Sequence, residues 1–194
     1  IDFDNLEMAV ISALKDMCKV IGTDRGYLNF YDSELQVERQ GYIWADSSIK
    51  SPRPMNGEYD FKRFPWWSDN VASDKATVFS SLDELPDYAC RERAWYSSCN
   101  IRSVAELTLH YQGKVFGFLG TESMKAEKKW TENELSIIQL VGEILIGGLL
   151  RSQSESDLEY MSCHDMLTGL FNRSWFDKKL EECDAEEYLP LSVI

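Results

Sequence analysis

Apolar residues recur at helical spacing from the start of the chain. Phe3, Leu6, Val10, Leu14 and Met17 fall three or four apart, and Ile21-Gly22 ends the run, which predicts an amphipathic helix over residues 3–20. The period then shortens to two. Residues 26–31 and 34–44 predict two strands joined by turn chemistry at Asp32-Ser33, with Leu35, Val37 and Arg39 on one face and Glu34, Gln36 and Glu38 on the solvent side. Residues 46–60 are polar and punctuated by Pro52, Pro54 and Gly57, which predicts a long loop. Phe64-Pro65-Trp66-Trp67 opens a short helix, 77–80 is a strand and 87–98 a second helix. Residues 101–110 alternate Ile101, Ser103, Ala105, Leu107 and Leu109 against polar partners. A turn at Gln112-Gly113 then leads into a strand over 114–121, completing a hairpin.

Trp130-Thr131-Glu132-Asn133-Glu134 is a helix start in which Thr131 and Glu134 form a capping box. The helix that follows carries apolar residues on every side. Leu135, Ile138, Leu145 and Leu149 fall on one face, Ile137, Leu140 and Ile144 on the opposite one. A helix on a sheet needs one apolar stripe, so the second calls for another partner, and the same helix of a second subunit is expected. Leu140, Ile144, Leu145, Gly147 and Gly148 are the expected contact residues of this homodimer. Gly147-Gly148 fits either close approach of two backbones or a kink. From Arg151 to Glu159 the chain is polar without Pro or Gly, so the helix is expected to continue as a connector.

Composition narrows the function. The 194 residues hold 33 acids and 20 bases, a formal charge of −13 that disfavours nucleic acid and anionic lipid as partners. The longest unbroken apolar run, Ile144 to Leu150, is far shorter than the ~20 residues of a membrane-spanning helix, so no membrane segment is expected. The chain begins with Ile1 rather than Met and shows no secretory signal, as expected of a trimmed piece of a longer protein. Cys18, Cys90, Cys99, Cys163 and Cys183 are odd in number and never spaced C-x-x-C, so reduced cytoplasmic thiols are expected.

Three stretches carry a family likeness. Asn100 to Leu109, Gly113 to Gly120, and Trp130 to Glu134 with the apolar helix after it resemble, in that order, the second half of a GAF domain. The likeness covers residues 1–150. It implies an α+β fold, an antiparallel sheet of about six strands flanked by helices with a long C-terminal connector helix. A sharper likeness follows. Asp165-Met166-Leu167-Thr168-Gly169-Leu170-Phe171-Asn172-Arg173 is similar to the D-x-L-T-G-L-x-N-R run that opens GGDEF domains, the catalytic modules of diguanylate cyclases. His164 before it also fits. Gly169 breaks a helix, Asn172 is a good N-cap, and Trp175, Phe176 and Leu180 give the next helix an apolar face. Leu189 to Ile194 reads as a turn entering a strand.

The expected organisation is a GAF sensory domain over 1–150, a connector over 151–163 continuing the helix from about 131, and a truncated GGDEF start over 164–194. The resemblance implies a parent that joins two GTP molecules into cyclic di-GMP with magnesium. The residues that hold GTP and metal come later in that family, so this chain is expected to lack enzymatic activity and bound cofactor. A ligand-free dimerisation scaffold, or a sensor for a degenerate GGDEF domain joined to a phosphodiesterase, are the alternative readings.

Ligand-binding GAF domains hold small molecules between the sheet and the variable loop-helix region. Here Tyr42, Trp44, Trp66, Trp67, Phe79, Trp95 and Tyr96 are the candidate walls and Arg102 the candidate polar anchor. The competing reading is that these aromatics fill the core. Phytochrome-type GAF domains attach bilin at a Cys-His pair, but Cys163-His164 lies beyond the connector and Cys99 lacks a following His. With only His110 and His164, neither metal ligation nor a nucleophile-histidine arrangement is expected. The asparagine-lysine-phenylalanine-aspartate-glutamate signature of cyclic-nucleotide-binding GAF domains is absent. Glu181, Glu182, Glu186 and Glu187 read as a solvated face.

Overall fold

A computed structural model describes residues 3–49 and 58–183. They form two compact units that divide between Gly147 and Gly148. The first opens with α1 (Phe3–Ile21), which ends at Gly22 with φ +77°. Its six strands are β1 (Arg25–Asp32), β2 (Val37–Ala45), β3 (Glu58–Asp60), β4 (Thr77–Phe79), β5 (Ser103–Tyr111) and β6 (Lys114–Ser123). All neighbours pair antiparallel in the order β3-β2-β1-β6-β5-β4. Between β3 and β5 the chain adds α2 (Pro65–Ala72) and α3 (Cys90–Ser98).

The β5–β6 turn has φ +51° at Gln112 and +75° at Gly113, the backbone demanded by a two-residue hairpin that follows strand twist. At the sheet centre, close approach sets the residue choice. A Cβ on Gly117 would run into the Asn29 carbonyl, and one on Gly120 into the Tyr27 ring.

Side chains on β1 alternate between two layers. Gly26 faces α1, where a Cβ would strike the Cys18 thiol, and the thiol is held above its ordinary pKa by burial. Arg25, Tyr27 and Asn29 therefore face the other layer, where Phe118, paired with Asn29 across the strands, joins the cluster of Trp67 and Tyr96 from α2 and α3. Gly142, on α4 (Glu132–Cys163), packs against Leu109 and Leu119, so this helix lies with α1 on the first face.

The capping box at the start of α4 is formed. The Glu134 N–H donates to Thr131 Oγ1 at 3.3 Å, and the Thr131 N–H returns a bond to Glu134 Oε2 at 2.8 Å. Ile138, Leu145 and Ile146 are buried while Leu140 and Ile144 are exposed, so the two stripes separate as their spacing predicts. Leu145 is a correction: it belongs to the core of its own chain and not to an exposed contact face. By length and composition α4 is long and apolar enough to cross a membrane, which the length of its longest unbroken apolar run does not indicate.

β2 departs from its expected pattern. Residues 33–36 form the turn, with φ +55° at Gln36, and Leu35 is exposed. Gly41 is the extra residue of a bulge opposite Leu28/Asn29, and it flips the strand's phase. Glu38, expected on the solvent side, is therefore buried with the α2/α3 layer.

The second unit contains the end of α4, a turn and α5 (Arg173–Cys183). Asp165 Oδ1 accepts from the N–H groups of Leu167 and Thr168 and from the Thr168 hydroxyl, at 2.8–3.2 Å. Gly169 turns the chain with φ +71°. Asn172 Oδ1 accepts from the Trp175 N–H at 2.9 Å, capping α5, while its amide donates back to the Ser162 carbonyl. His164 stacks on Tyr160 at 4.0 Å and bridges to Phe171. The expected strand at Leu189–Ile194, with Glu186 and Glu187, lies outside the described residues.

Candidate functional site

The α2/α3 side of the sheet carries an aromatic half and a polar half. In the aromatic half Trp67, Phe79 and Tyr96 are buried in one cluster with Ile101, Val104 and Phe118, and Trp66 and Trp95 pack against it. The rings meet edge to face: Trp67 and Tyr96 at 5.6 Å, Phe79 and Tyr96 at 4.9 Å, Trp67 and Trp95 at 5.2 Å. The Trp67 indole N–H donates to the Tyr96 hydroxyl at 2.9 Å, which satisfies the polar end of a buried ring.

Five of the eight expected pocket residues are thus brought together: Trp66, Trp67, Phe79, Trp95 and Tyr96. The other three are not. Tyr42 and Trp44 pair with Leu28 and Gly26 and so face the α1 layer, where Tyr42 meets Phe30 edge to face at 6.1 Å. The phase change at Gly41 is the reason. Arg102 is exposed on the approach to β5, between buried Ile101 and buried Ser103, and anchors nothing in this cluster.

A glutamate from α3 positions α2. Pro65 at the helix start has no N–H to satisfy, and no side chain of the α2 N-terminus caps the next ones. Buried Glu92 does so from a distance, its Oε1 accepting from the Trp66 and Trp67 N–H groups at 2.7 and 3.4 Å. A carboxylate at a helix N-terminus also meets the positive end of the helix dipole.

The polar half has no counterpart among the expected site residues. Arg25 and Glu122, directly opposite on β1 and β6 and both fully buried, form a salt bridge in which the guanidinium Nε also donates. Asn29 donates to buried Glu38, and the Tyr27 hydroxyl reaches over Gly120 to Glu106 Oε2 at 2.7 Å. One signal was available in sequence: Arg25, Tyr27 and Asn29 share one parity on a strand whose other parity is Gly26 and Leu28.

At the sheet's end, Asp24 accepts from the Met124 and Lys125 N–H groups, and the Lys125 ammonium bridges Asp24 and Asp46 at 3.1 and 3.2 Å. Burial pushes the Asp24 carboxyl up, but these donors outweigh it and its pKa lies below the ordinary value. Asp46 is held down to about 2, first by the Ser48 hydroxyl and N–H and then by Lys125. Lys125 is raised by the two carboxylates.

A separate cleft of about 370 Å³ lies beside α4, lined by Leu107, Leu109 and Ile146 and by polar Asp74, His110, Gln139 and Glu143. His110 Nε2 sits 3.2 Å from Asp74 Oδ1. Cys99 is buried in the aromatic cluster, whereas Cys90, at the start of α3, is exposed. Among the described residues no group of three or more His, Cys, Asp or Glu is placed to hold a metal ion.

The sheet has this order, with α1 and α4 on one face and short helices over an aromatic and polar floor on the other, and the sequence comparison decides its family. Residues 5–146 match the GAF domain. The chain belongs to the GAF domain family. The likeness to solved GAF structures is one of fold. The blue-light absorbing form of the PixJ GAF domain of Thermosynechococcus elongatus superposes with a TM-score of 0.61 at 12% identity, over 81% of this chain and 94% of that one. The phycocyanobilin-bound GAF domain of a cyanobacterial phytochrome gives 0.63 at 13% identity, over 78% and 87%. In sequence, the methanogenesis regulatory histidine kinase FilI of Methanothrix harundinacea (strain 6Ac) is 21% identical over 162 residues. That match spans 79% of this GAF chain and only 18% of the kinase. The chain is a sensory and regulatory GAF domain with further residues C-terminal to it.

Proposed function

We propose that this GAF domain is the input module of a cytoplasmic signalling protein, and that its closing helix, paired with the same helix of a second copy, controls a GGDEF output domain beginning at Asp165. The observation that carries the reading is the turn from Asp165 to Asn172. Its motif residues act together in one hydrogen-bonded unit: Asp165 gathers the turn, Gly169 supplies the positive φ, and Asn172 joins the end of α4 to the start of α5. This is what the opening of a folded domain requires, and a polar tail would not need it.

The activity assigned to the parent is synthesis of cyclic di-GMP from GTP. By the GGDEF resemblance, GTP and metal are assigned to sequence beyond Ile194, and no catalytic step is assigned to this chain. A pair of GTP-loaded domains must face each other for this condensation, so a change in helix pairing is a direct lever on rate. Shifting the productive pairing tenfold takes about 1.4 kcal/mol of differential binding.

The test is to extend the chain beyond Ile194 in its parent and measure conversion of GTP to cyclic di-GMP. An intact Gly-Gly-Asp/Glu-Glu-Phe run, with activity that changes when residues of the GAF unit are altered, is the expected result. Absence of that run, or activity indifferent to the GAF unit, refutes the reading of synthesis control.

The packed aromatic cluster favours a second reading, a GAF domain that binds nothing and serves as a dimerisation scaffold. Bilin-bound GAF relatives in the same fold make a small-molecule ligand the alternative. Native mass spectrometry separates them: retained small-molecule mass supports a ligand sensor, and a bare dimer supports the scaffold.

A further inference from the structure

The outer edge of β5 is only partly paired. β4 is three residues long and meets β5 from Val104 to Glu106, whereas β5 runs on to Tyr111. Among the described residues no strand covers the outer edge from Leu107 to Tyr111. The loop before β4 explains the gap. Asp74 takes φ +52°, its N–H donates to the Val71 carbonyl at 3.1 Å, and the Lys75 N–H donates to the Asn70 carbonyl at 2.8 Å. The Asn70 side chain also donates to Thr77 Oγ1 at 3.3 Å. This backbone is committed to the end of α2, so β4 does not lengthen toward Leu107. On the inner side the bulge falls on β6, where Phe116 is the extra residue, and β5 itself stays a regular template. A strand edge of this kind presents N–H and C=O groups that need water or a partner.

The open edge lies inside the cleft of about 370 Å³ beside α4, which is lined by four consecutive residues of β5, Leu107 to His110. Successive strand residues point to opposite faces. A hollow on one face of a sheet touches alternate residues, and one that touches four in a row runs along the edge. Its walls differ in chemistry. Leu107, Leu109 and Ile146 are apolar, while Asp74 from the loop and Glu143 from α4 bring two carboxylates. Among the described residues that line it, none is Lys or Arg. We propose that this edge binds a short, extended, basic peptide of a partner protein, added to the sheet as a further strand beside Leu107 to His110. Its apolar side chains pack on Leu107, Leu109 and Ile146, and a Lys or Arg stands beside Asp74 and Glu143.

Strand addition accounts for the whole cleft. Main-chain hydrogen bonds to the edge give affinity, and pockets for alternate side chains give specificity. Four paired residues span about 13 Å. Gln139, Glu143 and Ile146 are four and three apart on α4, so one face of that helix flanks the added strand. A small cation would use the carboxylates and leave the backbone groups of the edge uncovered. The site is separate from the aromatic cluster under α2 and α3, and the proposal stands without the output domain proposed above.

The test titrates the whole isotope-labelled 194-residue chain, followed by NMR, with a pool of blocked pentapeptides in which Lys or Arg alternates with Val, Ile, Leu or Thr. Two further pools carry backbone N-methyl groups on one or the other alternate set of amides. Only one set of an added strand faces the edge, so one methylated pool is expected to bind at least about tenfold more weakly than the other. The expected shifts centre on Leu107 to Tyr111 and Ile146, with slower amide exchange along that edge. Asp74→Asn, which keeps a residue that tolerates positive φ, and Glu143→Gln should each weaken binding about two- to fivefold with an unchanged thermal midpoint. Equal binding of the two methylated pools overturns the proposal, as does the absence of shifts at millimolar peptide. Shifts centred on Trp67 and Tyr96 overturn it by placing the peptide on the other face. Matching shifts from acetyl-lysine amide alone assign the cleft to small cations and likewise overturn strand addition.

Discussion

The Arg25–Glu122 pair gives the sharpest test of how the polar half of the sheet is held. Both side chains are fully buried, they stand directly opposite on β1 and β6, and two guanidinium nitrogens converge on one carboxylate oxygen. Taking either charge out of water costs several kcal/mol, which the mutual attraction and hydrogen bonds offset. Glu122→Leu would leave a buried guanidinium without its paired carboxylate. The expected loss is about 3–5 kcal/mol, a large share of the ~5–15 kcal/mol that holds a typical domain. At a urea slope of about 2 kcal/mol/M this moves the unfolding midpoint down by roughly 1.5–2.5 M. Arg25→Met should cost a similar amount. The double variant, in which an apolar pair replaces the ionic one, should recover at least ~2 kcal/mol relative to either single change. Five of the six tryptophans lie before Gly148, so urea unfolding followed by tryptophan fluorescence reports mainly on the GAF unit. A single variant costing under ~1 kcal/mol, or a double variant no better than the singles, would refute the claim that the charges depend on one another.

Three other outcomes are expected. Gly120→Val drives a side chain into the Tyr27 ring and displaces its hydroxyl from Glu106, costing about 1–3 kcal/mol as a drop in thermal midpoint. Thr131→Ala removes the α4 capping box and costs about 1 kcal/mol by urea titration, with faster amide exchange confined to the first turn of the helix. Acid sensitivity follows from Asp24 and Asp46, both ionised more readily in the folded protein than in the unfolded chain. Their stabilisation is complete above the ordinary aspartate value of 3.8 and is lost as pH falls toward the Asp46 value of about 2. Thermal midpoints measured from pH 5 to pH 2 should therefore fall less steeply in Asp46→Asn than in the unchanged chain, and an unaltered slope would discount the Lys125 cluster.

Local chemistry settled a great deal of this protein by itself. The β5–β6 hairpin, the Thr131/Glu134 box, the Asn172 cap and the Asp165 turn are each written within a few residues, because turns and caps depend on side chains satisfying backbone groups close by. The division of α4 into a buried and an exposed stripe was legible for the same reason, since helical period alone separates Ile138 from Leu140. What needed the tertiary structure was whatever depends on strand phase or distant partners. The bulge at Gly41 places Glu38 and Tyr42 on opposite faces although both are even-numbered residues of β2, so a strict period of two had to misplace one of them. The polar floor of Arg25, Tyr27 and Asn29 acquires meaning only from Glu38, Glu106 and Glu122, brought from three different strands. Glu92 caps a helix 26 residues earlier in the chain, a role that no local motif announces. Aromatic residues could be counted in the sequence, but which of them share a face was decided by pairing register, and register is a property of the assembled sheet.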